Sequence, residues 1–467
     1  MARQTMTSGS RARGELLDGR AEVIADGRRF NLVRPRERFY NNFWIIPTAF
    51  LLGALLLAVI TRRIDENLPP VVGRTAPWIV GASSAGVVLS TLATAMLTFL
   101  GVVFSIGLVA LQLASQQFSP RVLRNYVRTT TTKVALGTFI ATFIYPLFSL
   151  GYLEELQRRG RPDVATVSVG VAMILAIASI AVFIAYVTLT IRGMRIAYAI
   201  STVAVETGKA LEHRFPPAER YASVVTPALG APDRVIVYRT GPLSVGVHLT
   251  QGMLQAIDIP ACVRVAREHD CMVRLIPQVG QYVGSGEPLF ELFAGVDGPA
   301  SLPADPDLLR TVDIGPERTV YSDPFYGVRA LVDVAAQALS PAVNAPTTAV
   351  QVLDRLQDFL RQMAPRPWPS GLFADRDGTV RLVVQVRSWD QFVDLALTEI
   401  TEFGAGSPQV TRRIAALLKS LNDGVPEERR PVLVRHQTLL SEAVAQRVAS
   451  YRALAEVALE PDARGLG

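Results

Sequence analysis

The stretch TAPWIVGASSAGVVLSTLATAMLTFLGVVFSIGLVALQLASQQFSP, residues 75–120, decides the architecture of this chain. Its 46 residues include no charged side chain. One helix crosses a bilayer with about 20 apolar residues, so the stretch is long enough for a membrane span and more. It predicts one long helix over about residues 77–119, with the bilayer crossing at about residues 87–108. Pro120 ends this helix, because proline disfavours helical backbone at the residue before it.

A stripe of small and polar side chains runs along this predicted helix at alternating steps of three and four residues. Two interpretations of the stripe stay open. Small and hydroxyl-bearing side chains let membrane helices pack closely and share hydrogen bonds. The same hydroxyl groups, repeated around the axis of an oligomer, would line a pore. The candidate seam or pore lining comprises Thr91, Thr94, Thr98, Gly101, Ser105 and Gln112.

Three further apolar stretches predict spans and complete a transmembrane domain over residues 43–191; they lie at about 43–61, 134–153 and 164–191. The segment before the first span, residues 1–42, holds nine arginines. The loop 121–133 carries three arginines and a lysine without an acid. Basic flanks stay on the cytoplasmic side of a membrane, so we expect this loop and both termini to be cytoplasmic. An even number of spans agrees with that placement.

The composition also excludes several classes of protein. None of the four predicted spans contains Asp, Glu, Lys, Arg or His, which argues against a proton-coupled transporter. No nucleotide-binding, nucleophile-elbow or metalloprotease motif occurs, so we expect no enzyme and no cofactor. The arginines are scattered through amphipathic helices, which argues against a nucleic-acid partner. Cys262, His269 and Cys271 have a spacing that matches no common zinc site, so we expect no metal.

Beyond the spans, residues 192–233 are predicted to form a helical linker, and residues 234–296 a small β-rich subdomain. Within the latter, VRLIPQVGQYVGSGEPL at 273–289 resembles the hairpin of lipoyl and biotinyl carrier domains. Those domains carry their cofactor on a lysine, but no lysine lies between Lys209 and Lys419. We therefore expect a small β-sandwich-like subdomain without a carrier role.

Residues 317–467 predict a cytoplasmic domain of helices with some strand. Asp323-Pro324 is typical of a helix start, and Ser340-Pro341 of a helix end. Asn344 is predicted to cap the next helix, with Pro346 in its first turn. Further turn and cap signals are Asp377-Gly378 and Ser388. The segment 323–363 is the candidate site for docking a cytoplasmic partner, through Asp323, Pro324, Ser340 and Asn344.

Several segments together resemble an uncharacterised bacterial family of predicted membrane proteins, domain of unknown function family 2254. The resemblance rests on FYNNFWIIP (39–47), GVVFSIGLVALQLASQQFSPRVLRN (101–125), LGTFIATFIY (136–145), GMLQAID (252–258) and DPFYGVRALVDVAAQALSPAVNAPTTA (323–349). It covers nearly the whole chain after about residue 38. The family usually has an aspartate where this chain has Ala345. The resemblance implies a topology and a domain order, and no established activity comes with it.

The sequence therefore predicts an α-helical integral membrane protein with four transmembrane helices and a cytoplasmic α+β region that contains a small β-sandwich-like subdomain. We expect it in the bacterial inner membrane, with the lipid bilayer and further copies of itself as partners. The first functional hypothesis is an oligomer with the second helix between subunits, which is channel-like if the oligomer has a pore on its axis. The alternative is a scaffold or sensor without transport that docks an unidentified cytoplasmic protein through residues 323–363.

Overall fold

The structure of the protein is a computed structural model. It describes residues 18–24, 44–67, 82–117, 130–158, 166–215, 221–225, 230–238, 251–295, 298–299, 302–320 and 323–447. The chain divides into two compact units. Residues Pro35–Ser201 form a membrane-span unit, whereas Met1–Arg34 and Thr202–Gly467 together form an α+β unit.

The membrane-span unit consists of four long apolar helices: α1 (Ile45–Asn67), α2 (Ala82–Gln117), α3 (Thr130–Arg158) and α4 (Thr166–Gly193). Each is long and apolar enough to cross a membrane, which confirms the four predicted spans. α2 is one helix without a break, as its uncharged sequence indicates. The ends of the predicted helix, residues 77–81 and 118–119, lie outside the described residues.

α3 is the central helix of this unit and packs against α1, α2 and α4. Half of the residues in the most apolar part of α3 are buried, whereas only 17% of the corresponding residues of α1 and of α2 are buried. At Gly137 the α1 helix comes so close that a Cβ atom would lie 2.8 Å from Cγ of Phe50. The hydroxyl groups of Thr142 and Ser179 are 2.7 Å apart and join α3 to α4. Small residues and hydroxyl groups thus mediate close helix packing here.

The α+β unit contains two sheets. The first has seven strands in the order β2-β1-β9-β10-β5-β7-β3 and the second has three in the order β6-β4-β8. The strands are β1 (Asp18–Val23), β2 (Tyr221–Val225), β3 (Arg234–Val237), β4 (Gly252–Ile257), β5 (Cys271–Leu275), β6 (Tyr282–Val283), β7 (Pro288–Ala294), β8 (Val312–Gly315), β9 (Leu372–Ala374) and β10 (Val380–Val384). Helix α6 (Ile259–Glu268) contributes Cys262 and Val263 to the core that these strands enclose.

The sandwich-like detail of the sequence prediction is not confirmed. Strands of the 234–296 segment are shared with other parts of the chain, since β5 pairs in parallel with β10 and β4 pairs with β8. Parallel strands need a long connection between them, and this one spans about a hundred residues of intervening chain. Local strand patterns in one segment carry no information about such distant partners.

Strands β1 and β2 are also absent from the sequence prediction, which assigned their residues to a basic segment and a helical linker. They pair antiparallel, with Ala21 opposite Ala222. Because β1 precedes α1 and β2 follows α4, a bilayer crossed by all four helices must have both strands on one side. Two paired strands lie on the same side of a bilayer, so the chain between them must cross the bilayer an even number of times.

Two residues, Met194 and Arg195, separate α4 from the next helix, α5 (Ile196–Arg214). The remaining helices are α7 (Asp305–Leu309), α8 (Pro324–Ala338), α9 (Pro346–Met363), α10 (Trp389–Gly404), α11 (Pro408–Asn422), a 3-10 turn (Glu427–Arg429) and α12 (Arg430–Arg447). α8 packs against α9 and α10, and α11 against α9 and α12. From Thr202 onward α5 belongs to this unit.

The predicted helix caps are confirmed at two positions and wrong at one. The Asp323 side chain accepts a hydrogen bond from the backbone N–H of Tyr326, and Ser388 forms a capping box with Gln391. The cap of α9, however, is Ala345 and not Asn344. Asn344 has φ +45° and occupies the turn before the cap. Asparagine tolerates this left-handed backbone conformation better than most residues, which accounts for it here.

Candidate functional site

The stripe on α2 is exposed along its described length in this chain. Its six candidate residues, from Thr91 to Gln112, are all in the exposed class. The opposite face of α2 is the one that packs within the unit: Leu89 lies in one core cluster with residues of α1, α3 and α4, and Val103 lies in another with Phe139 and Tyr186. The stripe is therefore left uncovered by the other three spans.

Two hydroxyl groups of the stripe, those of Thr94 and Thr98, bond to their own helix. Thr94 Oγ1 donates to the carbonyl oxygen of Ser90 at 2.9 Å, and Thr98 Oγ1 donates to that of Thr94 at 3.2 Å. In lipid an unsatisfied donor is costly, but these donors are satisfied locally. At Gly101 nothing lies within 4 Å of the position that a Cβ atom would take. The stripe thus offers a surface of mostly small side chains on which the Thr94 and Thr98 donors are satisfied within the helix.

The candidate docking residues do not form one surface. Asp323 and Pro324 lie at the start of α8, whereas Ser340 and Asn344 follow its end. α8 has 15 residues, which corresponds to about 22 Å at the helical rise of 1.5 Å per residue. The structure therefore separates the predicted site into two places with different surroundings.

The Asp323 end of α8 is buried. The Asp323 carboxylate accepts hydrogen bonds from Nε and Nη2 of Arg318 at 3.1 and 2.5 Å. Gly280, with φ +87°, lies so close that a Cβ atom there would be 2.3 Å from Oδ2 of Asp323. Pro324 is also buried. These contacts join the start of α8 to the loop before β6, which is a structural role.

At the other end of α8, Ser340 is half-buried and its hydroxyl donates to the carbonyl oxygen of Gln337 at 2.7 Å. Residues 341–344 are all exposed. Ala345 is the N-cap of α9, and its side chain makes no capping hydrogen bond. An aspartate at that position would accept a bond from the first-turn N–H groups and so would cap α9.

Substituting Ala345→Asp is expected to raise the stability of the α+β unit by about 1 kcal/mol, because it supplies the missing cap and a negative charge at the helix start. Thermal unfolding of the full chain in a neutral detergent measures the change. Ala342→Asp adds the same charge in the exposed turn and should leave the melting temperature unchanged. A melting temperature that falls with Ala345→Asp would contradict the capping assignment.

A buried polar cluster at the end of α1 was missed by the sequence analysis. Asp65 is 1% exposed. Its carboxylate accepts hydrogen bonds from the backbone N–H groups of Val167 (2.9 Å) and Ser168 (3.1 Å) and from the hydroxyl of Ser168 (2.5 Å). The first turn of α4 is thus capped by a residue of α1. A carboxylate is stabilised at a helix N-terminus, since the free N–H groups and the helix dipole are positive there.

Tyr145 of α3 completes this cluster. Its hydroxyl lies 2.9 Å from Oγ1 of Thr61 and 3.2 Å from the carbonyl oxygen of Ser168. One polar network therefore joins α1, α3 and α4. In sequence, Asp65 appears only as one acid in RRIDEN, residues 62–67, directly after an apolar span. Charged residues are ordinary at such a boundary, so no sequence signal distinguishes Asp65 from its exposed neighbours.

The two cysteines lie in the core of the α+β unit. Burial raises the pKa of the Cys262 thiol to about 12 and that of Cys271 to about 11. Zinc binds the thiolate form, which burial disfavours at these positions. Within the described ranges, no three His, Cys, Asp or Glu side chains are grouped so that they could hold a metal ion.

Most of the chain matches one known protein family. The family model described as "Predicted membrane protein (DUF2254)" matches residues 40–420. The chain belongs to this family. The match runs from the start of the first span to the end of α11, so it includes the membrane-span unit and most of the α+β unit. The description agrees with the four apolar helices.

Relatives of the family member described here occur in mycobacteria. The chain is 29% identical over 407 residues to the uncharacterized protein Rv1290c of Mycobacterium tuberculosis and, equally, to the uncharacterized protein Mb1321c of Mycobacterium bovis. The alignment covers 86% of this chain and 76% of each relative. No solved structure matches the chain.

Proposed function

We propose that this chain is a homo-oligomeric protein of the bacterial inner membrane in which the α2 stripe forms the contact between subunits. The observation that carries the proposal is the exposure of all six stripe residues on the face of α2 opposite to Leu89 and Val103. Within a bilayer this face meets either lipid or another protein. Small residues favour a second helix, because they allow the two backbones to approach closely.

The spacing of the stripe supports a helix partner. Steps of three and four residues average to a repeat of 3.5, which keeps one face in contact with a partner when two helices wind around each other with a left-handed supercoil. Bulky apolar side chains flank the stripe, among them the exposed Leu97 and Phe104. These suit contact with lipid. Stripe and flanks together resemble a packing seam bordered by a lipid-facing surface.

A pore on the axis of such an oligomer is the extension of this proposal. The threonine hydroxyls would face the axis, and their bonds to the carbonyls of their own helix leave their oxygens available as acceptors. The stripe carries no charge, so such a pore would have no charged selectivity ring. We infer that close packing is the primary role and permeation the secondary one.

The orientation that we propose places both termini in the cytoplasm, with the α+β unit. The basic flanks support it, because nine arginines precede α1 and the loop after α2 is basic. The pairing of β1 with β2 supports a common side for the two ends. Docking of a partner through 323–363 has less support, since Asp323 and Pro324 are buried and the accessible part is the turn at residues 341–344.

Substituting Thr94→Leu together with Thr98→Leu is expected to weaken self-association about tenfold or more, because two bulky side chains on the seam hold the helices apart. Mass photometry of the full chain in lipid nanodiscs measures the oligomer directly. Efflux of potassium from proteoliposomes that contain the same purified proteins measures permeation.

The matched control is Ala95→Leu together with Val102→Leu. Both positions are exposed on α2 and lie roughly a quarter-turn from the stripe, given the helical repeat of 3.6 residues. This control should leave the oligomer unchanged. A monomeric native protein, or an equal effect of the control, would overturn the proposal. An oligomer without efflux would retain the seam and remove the pore.

A further inference from the structure

A basic opening in the α+β unit lies where α5 ends against the start of α8. Its lining includes Arg214 and Phe215 of the α5 end, Phe325 of α8, and Trp368 and Arg387 from the segments after α9 and β10. Its enclosed part has a volume of about 40 Å³, and the rest of the opening is continuous with solvent. The opening is thus a shallow groove, in which a small anionic group can enter the enclosed part while the remainder of a ligand lies at the surface.

Arg387 is the unusual member of this lining. Its guanidinium lies over the ring of Phe325, 5.0 Å from the ring centre. Burial lowers the pKa of Arg387, Asp323 opposes this effect, and the nearby Arg318 adds to it. Among the described residues, its guanidinium makes no hydrogen bond and no ion pair. Arginine has five N–H donors, so this half-buried side chain has its donors available to a ligand.

The one carboxylate in the lining is already engaged. Asp323 accepts two hydrogen bonds from Arg318, and a third from the N–H of Tyr326 at 3.3 Å. Arg318 and Asp323 therefore offset each other's charge. Arg387 then leaves the opening with a positive charge, which attracts anions.

Aromatic rings form the other walls. The ring of Trp368 lies 4.7 Å from that of Phe215 and its indole N–H donates to the backbone carbonyl of Arg387 at 2.5 Å. This bond holds the backbone of Arg387 beside the tryptophan. Cationic and aromatic surfaces thus border the same space. Such a combination suits a ligand with one anionic group and one flat apolar part.

We propose that this opening, the Arg387 pocket, binds a small organic anion that carries a phosphate or carboxylate next to a flat apolar group. The anionic group is held by Arg387, and the apolar part lies against Phe215 and Trp368. A soluble metabolite and an anionic lipid headgroup share this chemistry. Among the described residues, burial removes hydration from Arg387 without supplying a hydrogen bond. Such a side chain lowers stability, which is typical of residues kept for binding.

The test uses the full chain in a neutral detergent and in phosphate-free buffer. Phenyl phosphate, inorganic phosphate and phenol are titrated by calorimetry. Phenyl phosphate is expected to bind more tightly than inorganic phosphate, and phenol not to bind. Arg387→Gln should weaken phenyl phosphate binding about tenfold or more, since a charge-assisted bidentate contact is lost. Arg387→Lys should retain part of the affinity.

Arg361→Gln is the matched control, because it removes an equal charge from an exposed position of α9 outside the pocket lining. It should leave the affinity unchanged. The melting temperature separates a binding role from a structural one: Arg387→Gln should leave it unchanged or raise it. Absence of phenyl phosphate binding, an equal loss in Arg361→Gln, or a lowered melting temperature in Arg387→Gln would overturn the proposal.

The same titration in nanodiscs distinguishes the source of the ligand. Phosphatidylglycerol that occupies the pocket would compete with phenyl phosphate, so the wild-type affinity would fall relative to discs of phosphatidylcholine alone. An equal affinity in the two kinds of disc identifies a soluble ligand. Either result supports the site, provided that the effect depends on Arg387.

Discussion

Substituting Gly327→Ala is expected to destabilise the α+β unit by about 2–3 kcal/mol, the cost of overpacking a close contact. Gly327 lies in α8 where α5 crosses it. A Cβ atom there would be 2.0 Å from Oγ1 and 2.9 Å from Cβ of Thr207. Thr207 is fully buried, and its hydroxyl donates to the carbonyl of Val203 at 2.7 Å. Neither side chain can yield without moving a helix.

In an unhindered helix, alanine is more stable than glycine by about 0.8–1.0 kcal/mol. A loss of stability in Gly327→Ala would therefore report the close contact with Thr207. Gly208→Ala is the matched control, on α5 next to Thr207 but facing α9. Its Cβ would lie 3.7 Å from Phe359, an ordinary contact. We expect Gly208→Ala to raise the melting temperature and Gly327→Ala to lower it, as measured by thermal unfolding of the full chain in detergent. Thr207→Gly should partly restore the Gly327→Ala variant. A neutral Gly327→Ala would mean that α5 does not pack there.

Substituting Asp65→Ala is expected to destabilise the membrane-span unit by about 2–4 kcal/mol, because it leaves the first turn of α4 without its acceptors. The backbone N–H groups of half-buried Val167 and buried Ser168 would lose their partners. Asp65→Asn keeps one acceptor oxygen and should lose less. Unfolding of the full chain in mixed micelles with increasing dodecyl sulfate measures the change.

Glu66→Ala is the control for Asp65. Glu66 is the next residue, and it forms an ion pair at the surface with Arg62 at 3.0 Å. Exposed ion pairs of this type contribute about 0–1 kcal/mol, so its removal should have little effect. Equal stability losses for Glu66→Ala and Asp65→Ala would refute the capping role and indicate a general effect of charge at the end of α1.

The membrane part of this protein follows from composition alone. A long apolar run such as residues 134–153 must lie in lipid or in a protein interior, because water solvates it poorly. The number of spans and their approximate ends can therefore be predicted from sequence. Helix starts at Asp323 and Ser388 were likewise predictable, because a cap depends on residues within one turn of each other. Asn344 shows the limit: its side chain is the better cap, but its left-handed backbone places it in the turn before α9, and Ala345 occupies the cap position.

The sites were predictable only in part. The α2 stripe is a property of one helix, and its exposure is what the structure added. Asp65 and Arg387 carry no local signal, since each is one of many ordinary charged residues. Asp65 matters because α4 begins beside it, and Arg387 because Phe325, Trp368 and the end of α5 surround it. These neighbours are distant in sequence, and no spacing rule brings them together.

The uncharged stretch at residues 75–120 by itself determined that this is a membrane protein with a long second helix. The free energy of transferring its apolar side chains from water to lipid depends on those side chains alone and not on distant parts of the chain. Only the tertiary structure decided which face of that helix stays uncovered and that β1 pairs with β2 and β9. It also decided that α5 packs closely against α8 at Gly327. These outcomes depend on shape complementarity between segments far apart in the chain. Such complementarity arises only when the whole core is packed.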